Sequence, residues 1–285
     1  MIYLLLSILC SVTVSVLLKI ARQHAVDIKQ AIAFNYVTAI TLCWLLLQPK
    51  LSGDSIQALP WGLFAILGVL LPLIFLAMFK AVEFAGIVRA DAAQRLSLFL
   101  PIIASFTIFG ETLSLPRGVS LVIAFIALFC LLWKPASGAS ARQTRSSVLY
   151  LLMVWLGYGV IDILFKQMAK TGTAFPTGLF IAFAMAGLLM FFYLFASKAQ
   201  WHLRHAVGGL VLGCLNFGNI LFYIKAHQHF SENPTLVFTT MNIGVISLGT
   251  LVGALVFREK ISLVNAIGIV LAILAVFCLY YWIIA

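Results

Sequence analysis

The chain has 285 residues, 64% of them apolar and 9% charged, with 18 basic and 8 acidic side chains and a net charge of +10. A soluble domain carries about 25% charged residues, so this inventory cannot solvate a globular surface, and it excludes a soluble enzyme, a secreted disulfide scaffold and a nucleic-acid binder. The bilayer is therefore the solvent for most of the chain, and the positive charge belongs to short loops between spans.

Ten apolar runs follow one another, near residues 2–20, 30–47, 59–80, 87–109, 116–133, 147–166, 175–196, 206–226, 234–257 and 262–284. At about 1.5 Å rise per residue each crosses, or nearly crosses, a hydrocarbon core of about 30 Å. The runs do not alternate apolar and polar residues as barrel strands must, so the expected fold is an all-α integral membrane protein of ten transmembrane helices. No basic segment precedes Ile2 to Leu18 and no small-residue cleavage site follows it, so that run is read as a retained first helix. Turn chemistry marks several breaks: Gln48-Pro49-Lys50, Leu115-Pro116 and Glu232-Asn233-Pro234. Cys10, Cys43, Cys130, Cys214 and Cys278 all lie in apolar stretches without C-x-x-C spacing and are read as buried free thiols. No cofactor or metal site is expected; His227 and His229 beside Glu232 are a poor ligand set.

The longest polar break falls near the midpoint. It divides the chain into a first five-helix unit (1–133), a linker (134–146) and a second five-helix unit (147–285). The two units repeat each other. Residues 109–133 align without gaps on 257–281, with ten of 25 positions identical, among them Glu111/Glu259, Ser114/Ser262 and Cys130/Cys278. The first helix aligns on the sixth through Tyr3/Tyr150, Leu17/Leu164 and Lys19/Lys166. The third aligns on the eighth through Gly68/Gly213, Lys80/Lys225 and Ala81/Ala226. Three segments in one order at nearly one offset point to duplication. Five helices is an odd number, so the second unit would enter the membrane upside down, which is the inverted repeat of alternating-access carriers.

Phe109-Gly110-Glu111-Thr112-Leu113-Ser114 at the end of helix four, Arg258-Glu259-Lys260-Ile261-Ser262 at the end of helix nine, and Leu98-Phe99-Leu100-Pro101-Ile102-Ile103 before the first glutamate resemble the EamA-type members of the drug/metabolite transporter superfamily. The resemblance covers nearly the whole chain and departs at Arg258, where glycine is common. It implies a ten-helix bundle with a central substrate cavity, commonly exporting amino acids or other small metabolites. It also implies cytoplasmic termini. The Lys and Arg count gives the reverse: breaks after odd-numbered helices hold most of the basic residues, which puts the linker in the cytoplasm and both termini outside.

Polar side chains within spans normally face the bundle interior. Ser7, Ser11, Ser15 and Lys19 share one face of helix one; Trp155, Tyr158, Asp162 and Lys166 share one face of helix six, and the alignment pairs the two stripes. Both are expected to line one cavity, against the simpler reading of an Asp162–Lys166 pair at i, i+4. Asn216, Asn219 and Tyr223 share a face of helix eight, and Asn242 lies on helix nine. They are expected either in the cavity or as bridges between packed helices. Arg95, clustered with Asp91 and Gln94, suits bidentate binding of a carboxylate or phosphate, against an Asp91–Arg95 pair. Pro101 and Gly249 correspond across the repeat and are expected as paired weak points for gating. Ser120-x-x-x-Ala124 and Gly268-x-x-x-Ala272 are expected to pack helices closely.

These residues lead to an expected secondary transporter, multi-pass in the inner membrane, moving a small polar metabolite such as an amino acid, outward by alternating access. Arg95, Trp155, Tyr158, Asn216, Asn219, Tyr223, Asn242 and Lys166 would bind the substrate, and Asp162 would couple protons. The partners are the small-molecule substrate and the lipid bilayer, with no nucleic acid, and the protein would be a monomer or homodimer. No H-E-x-x-H, G-x-S-x-G or P-loop pattern occurs, so no enzyme activity is expected. The rival reading is a flippase for a lipid-linked sugar or phosphate.

Overall fold

The structure is a computed structural model that describes residues 1–23, 27–50, 60–85, 87–132, 145–171, 175–257 and 262–284. Among these residues every regular element is an α-helix: α1 (Ile2–Gln23), α2 (Ile28–Leu47), α3 (Trp61–Ala85), α4 (Ile87–Leu96), α5 (Phe99–Thr107), α6 (Leu115–Leu132), α7 (Arg145–Lys170), α8 (Phe175–Ala196), α9 (Leu203–His229), α10 (Pro234–Phe257) and α11 (Leu263–Ile284). Seven of them, α2, α3 and α7–α11, are long and apolar enough to cross a membrane. Shorter apolar stretches occupy α1 and α6. The expected linker through residue 144, Glu259 and the side chains of Lys19 and Asp91 lie outside the described residues.

The outer surface is apolar, as lipid contact requires: Leu188, Phe192 and Phe195 stand out from α8, with Phe192 75% exposed. The chain is a multi-pass helical membrane protein. Its cysteines are free thiols, but of the five only Cys43 is buried, and Cys214 is exposed on α9. In water an apolar run turns its thiols inward; in a bilayer the outward face is equally apolar, so the buried assignment fails for Cys214.

The run at 87–109 is not one helix. It breaks at Ser97–Leu98 into α4 and α5. Pro101 explains the position, because a prolyl ring clashes with the carbonyl four residues back, here that of Ser97. The carbonyls at the break are still satisfied, as a low-dielectric setting demands. Ser97 Oγ donates to the Gln94 carbonyl, Leu98 N–H to the Arg95 carbonyl at 3.2 Å, and Leu100 N–H to the Ser97 carbonyl at 3.0 Å. Trp155 Nε1, from α7, donates to the carbonyl of Leu96, the last residue of α4, at 3.1 Å. The corresponding Gly249 lies inside the unbroken α10.

Helix directions follow from which residues meet. Tyr3 lies against His229 and Ser7 bonds Asn219, so α1 and α9 run antiparallel. Asp162 meets Tyr223, and Lys166 meets Ser231 just past α9, so α7 and α9 run parallel. Phe84 stacks on Tyr150 and Ile74 meets Gly157, so α3 and α7 run antiparallel. Phe34 meets Phe191 while Cys43 meets Pro176, so α2 and α8 are antiparallel. Consequently α1 runs opposite to α7, and α3 opposite to α9.

The packing partners also correspond. α9 packs on α1 and α2, and α3 packs on α7 and α8, while α6 and α11 pack on each other. Two of the glycines aligned in the sequence sit at close approaches. A Cβ at Gly213 of α9 would sit 2.6 Å from the Asn35 carbonyl oxygen of α2. One at Gly68 of α3 would sit 2.7 Å from Met185 Cβ of α8. On α6 and α11, Ala124 and Ala272 are buried, and a Cβ at Gly268 would meet Cys130 Cβ at 2.9 Å.

Gly213→Val should therefore lower stability by about 1–3 kcal/mol through overpacking. Gly249→Ala, with nothing within 4 Å of the added carbon, should leave it unchanged or raise it by up to about 1 kcal/mol. Thermal unfolding in detergent measures both; equal midpoints for the two variants would contradict the close approach.

Candidate functional site

A cavity of about 150 Å³ lies where α7, α9 and α10 meet the α4–α5 break. Its polar lining comes from separate parts of the chain. Asp162 and Tyr158 come from α7, Asn216, Asn219 and Tyr223 from α9, and Asn242 from α10. Ser11 of α1 and Gln94, Arg95 and Ser97 of the break complete it, and Leu71, Ile74 and Phe75 of α3 supply apolar wall. The break matters to the site: by ending α4 at Leu96 it sets Gln94, Arg95 and Ser97 against the cavity from a helix terminus.

The polar groups are held by one another. Tyr223 Oη donates to Asp162 Oδ1 at 3.0 Å, and the Asn242 amide and Arg95 charge also act on that carboxylate. Asn216 Nδ2 donates to Asn35 Oδ1 at 3.1 Å. Ser7 Oγ donates to Asn219 Oδ1 at 2.8 Å, and Asn242 Nδ2 donates to the Phe238 carbonyl at 3.1 Å. Asn216 and Asn219 thus both bridge helices and line the cavity, whereas the Asn242 amide lines it while bonding within its own helix. A carboxylate, a guanidinium, two phenols and four carboxamides around one small volume can bind both ends of a zwitterion, and the carboxylate can carry a proton.

Of the residues singled out in the sequence, Arg95, Tyr158, Asp162, Asn216, Asn219, Tyr223 and Asn242 line this cavity. Trp155 and Lys166 are elsewhere. Trp155 holds the Leu96 carbonyl at the helix break. Lys166 is turned away from Asp162: its ammonium donates to the Ser231 carbonyl at 2.6 Å and lines a second cavity. Pro101 sits beside the break and Gly249 on α10, outside the lining. Two participants are not evident from the stripes. Asn35, buried on α2, meets Asn216; as an amide inside an apolar run it carried the usual signal. Ser97 is legible from the four-residue spacing to Pro101.

One end of the bundle is fastened by Glu111. Its buried carboxylate accepts from the Thr235 N–H at 3.0 Å and the Thr235 hydroxyl at 2.6 Å, at the N-terminus of α10, where a negative charge is favoured. Arg117 lies 3.6 Å from Glu111 and donates to Asn233 Oδ1 at 2.9 Å. Burial nevertheless pushes the Glu111 carboxyl above its ordinary range, against the pull of Thr235, Arg117 and Lys166. At the opposite end Asp27 N–H donates to His205 Nδ1 at 3.2 Å and Gln30 Nε2 to the Gln200 carbonyl at 2.7 Å.

Fold and cavity together define a multi-pass helical membrane protein with a polar pocket built inside its bundle. The chain belongs to the same family as a protein of Haemophilus influenzae described as uncharacterized. The two are 60% identical over 283 residues, 98% of this chain and 97% of that protein. No family model matches the chain. A solved crystal structure of a protein 16% identical to this chain is similar in fold, with a TM-score of 0.74 over 97% of this chain and 94% of the other.

The raised Glu111 pKa has a stability consequence of definite sign. A carboxyl that titrates higher folded than unfolded stabilises fully at low pH, and that contribution is lost as pH rises through the folded value. Glu111→Gln keeps an acceptor for Thr235 and removes the titration. The thermal midpoint of the native protein should therefore fall more steeply than that of Glu111→Gln as pH rises from the ordinary carboxylate range to neutrality. Parallel midpoint–pH curves would contradict this.

Proposed function

We propose that the protein is a secondary carrier of the inner membrane that moves a small polar metabolite, of amino-acid type, outward by alternating access. The observation that carries the reading is the convergence of Arg95, Asp162 and the amides of Asn216, Asn219 and Asn242 on one cavity within apolar helices. Ionisable groups at such depth are costly and belong to substrate or ion pathways.

Three further features support it. The helices aligned by sequence, α1 with α7 and α3 with α9, run in opposite directions, and aligned Gly68 and Gly213 serve equivalent close approaches. Residues 1–133 and 147–285 then form the two halves of an inverted repeat of ten spans, α4 and α5 counting as one broken span. A discontinuous helix at the binding site is the usual device of such carriers. The resemblance to EamA-type transporters points to the same architecture.

In this reading the Arg95 guanidinium takes a substrate carboxylate and Asp162 faces its ammonium or carries the coupled proton, while Tyr158 and Tyr223 form walls. Pro101 and Gly249 let the two corresponding helices bend. A cavity of about 150 Å³ is on the scale of one that takes benzene, which favours a compact solute over the lipid-linked sugar of a flippase. The carrier has no enzymatic step, and it works as a monomer or homodimer.

A thermal-shift screen in detergent over amino acids, sugars, nucleotides and phosphates tests the substrate class. An amino acid at about 100 times its Kd should stabilise by about 2.7 kcal/mol. The same ligand should show saturable, proton-driven uptake into proteoliposomes that Asp162→Asn abolishes without changing the unfolding midpoint. A screen without an amino-acid hit, or unchanged uptake in Asp162→Asn, would contradict the reading.

A further inference from the structure

Two cavities lie end to end along α7 and α9. Asp162 and Tyr223 line the central one. One helical turn further, Lys166 and His227 line a second cavity of about 590 Å³, towards the end of the bundle that Glu111 fastens. The two linings meet through a run of aromatic rings. Phe165 meets Tyr223 edge-on at 6.2 Å, Tyr223 meets His227 at 4.8 Å, and His227 meets Phe238 at 4.7 Å between ring centres.

The second cavity is lined by two ammonium groups and one carboxylate, that of Glu232. Glu111, behind it, is committed to Thr235. Lys166 is 1% exposed and spends one donor on the Ser231 carbonyl; an ammonium has three. Lys170 is exposed at the rim, its ammonium 4.9 Å from the centre of the Phe109 ring. His227 is fully buried, and among the described residues neither of its ring nitrogens has a hydrogen-bond partner. A buried imidazole without partners is costly and calls for a ligand or water that supplies them. The volume falls in the range of small-molecule pockets, about 300–1,000 Å³.

We infer that this second cavity is a binding station for the anionic group, a carboxylate or phosphate, of a small solute, held by Lys166, Lys170 and His227. Its place as a waiting position on a route, with the Tyr223–His227 layer as the partition to the central cavity, rests on the carrier reading above. The binding claim rests on the residues of the second cavity.

The test measures the sign of the local charge and then occupancy. Gln228→Cys, in a chain whose five native cysteines are replaced, is reconstituted in phosphatidylcholine vesicles. It is treated with anionic and cationic thiol reagents of equal size, and rates are normalised to a small free thiol. The anionic reagent should react about tenfold faster, and adding Lys170→Gln at its exposed position should reduce that preference by about threefold. Millimolar inorganic phosphate should slow labelling by a neutral reagent. Equal rates, a cationic preference or no labelling would overturn the inference. Protection that requires phosphatidylglycerol in the vesicles would assign the cluster to a lipid head group and overturn the solute assignment. Labelling needs no transport, so the two readings fail separately. Charge preference with no uptake of any solute defeats the carrier alone; uptake without charge preference defeats the station alone.

Discussion

In hydrocarbon no water is available to complete a polar group, so a carboxylate, amide or free carbonyl left without a partner in the protein is costly. That constraint organises this structure. Asp162 is tolerated because Tyr223 donates to it and Asn242 and Arg95 face it. The break between α4 and α5 is tolerated because Trp155 and Ser97 take up the carbonyls it frees. The same satisfaction brings α1, α4, α7, α9 and α10 to one point, and the space left among them is the cavity.

The fastening at Glu111 joins parts of the chain far apart in sequence. Glu111 follows α5, yet it caps α10 through Thr235, 124 residues further along the chain. The second cavity lies beside that contact, between the ends of α7 and α9. In the proposed carrier, a change in the Glu111–Thr235 contact would be felt by the route towards the central pocket. At the other end the Asp27–His205 and Gln30–Gln200 contacts tie α2 to the start of α9. Each end thus has its own set of polar ties, α10 held by Glu111 at one and α2 to the start of α9 at the other, as the proposed reciprocal opening would use.

Much of this was legible in the sequence because it depends on pattern. Long apolar runs with turn residues between them located the helices, and the four-residue spacing of Tyr158 and Asp162 put both on one face. The aligned Gly68 and Gly213 indicated matching positions, and their shared role in close packing appeared in the structure. What could not be read depends on three-dimensional direction. Lys166 continues the Asp162 stripe, but a lysine stem is long enough to reach the Ser231 carbonyl beyond the helix end instead. Trp155 lies on the same stripe, and its indole N–H is drawn to the Leu96 carbonyl, an acceptor that exists only because α4 stops there. Cys214 was expected inside, but lipid gives an apolar side chain no reason to prefer the interior.

In the proposed carrier the two ends open reciprocally around the Arg95–Asp162 pocket. The most direct measurement is a pair of spin-label distances in nanodiscs. One pair at Leu113 and Ser231 reports the end that Glu111 fastens, and a second at Trp201 and Leu263 reports the opposite end. The account predicts that a ligand found in the screen shifts the two distance distributions in opposite senses. Distances that stay fixed, or that lengthen and shorten together, would contradict it.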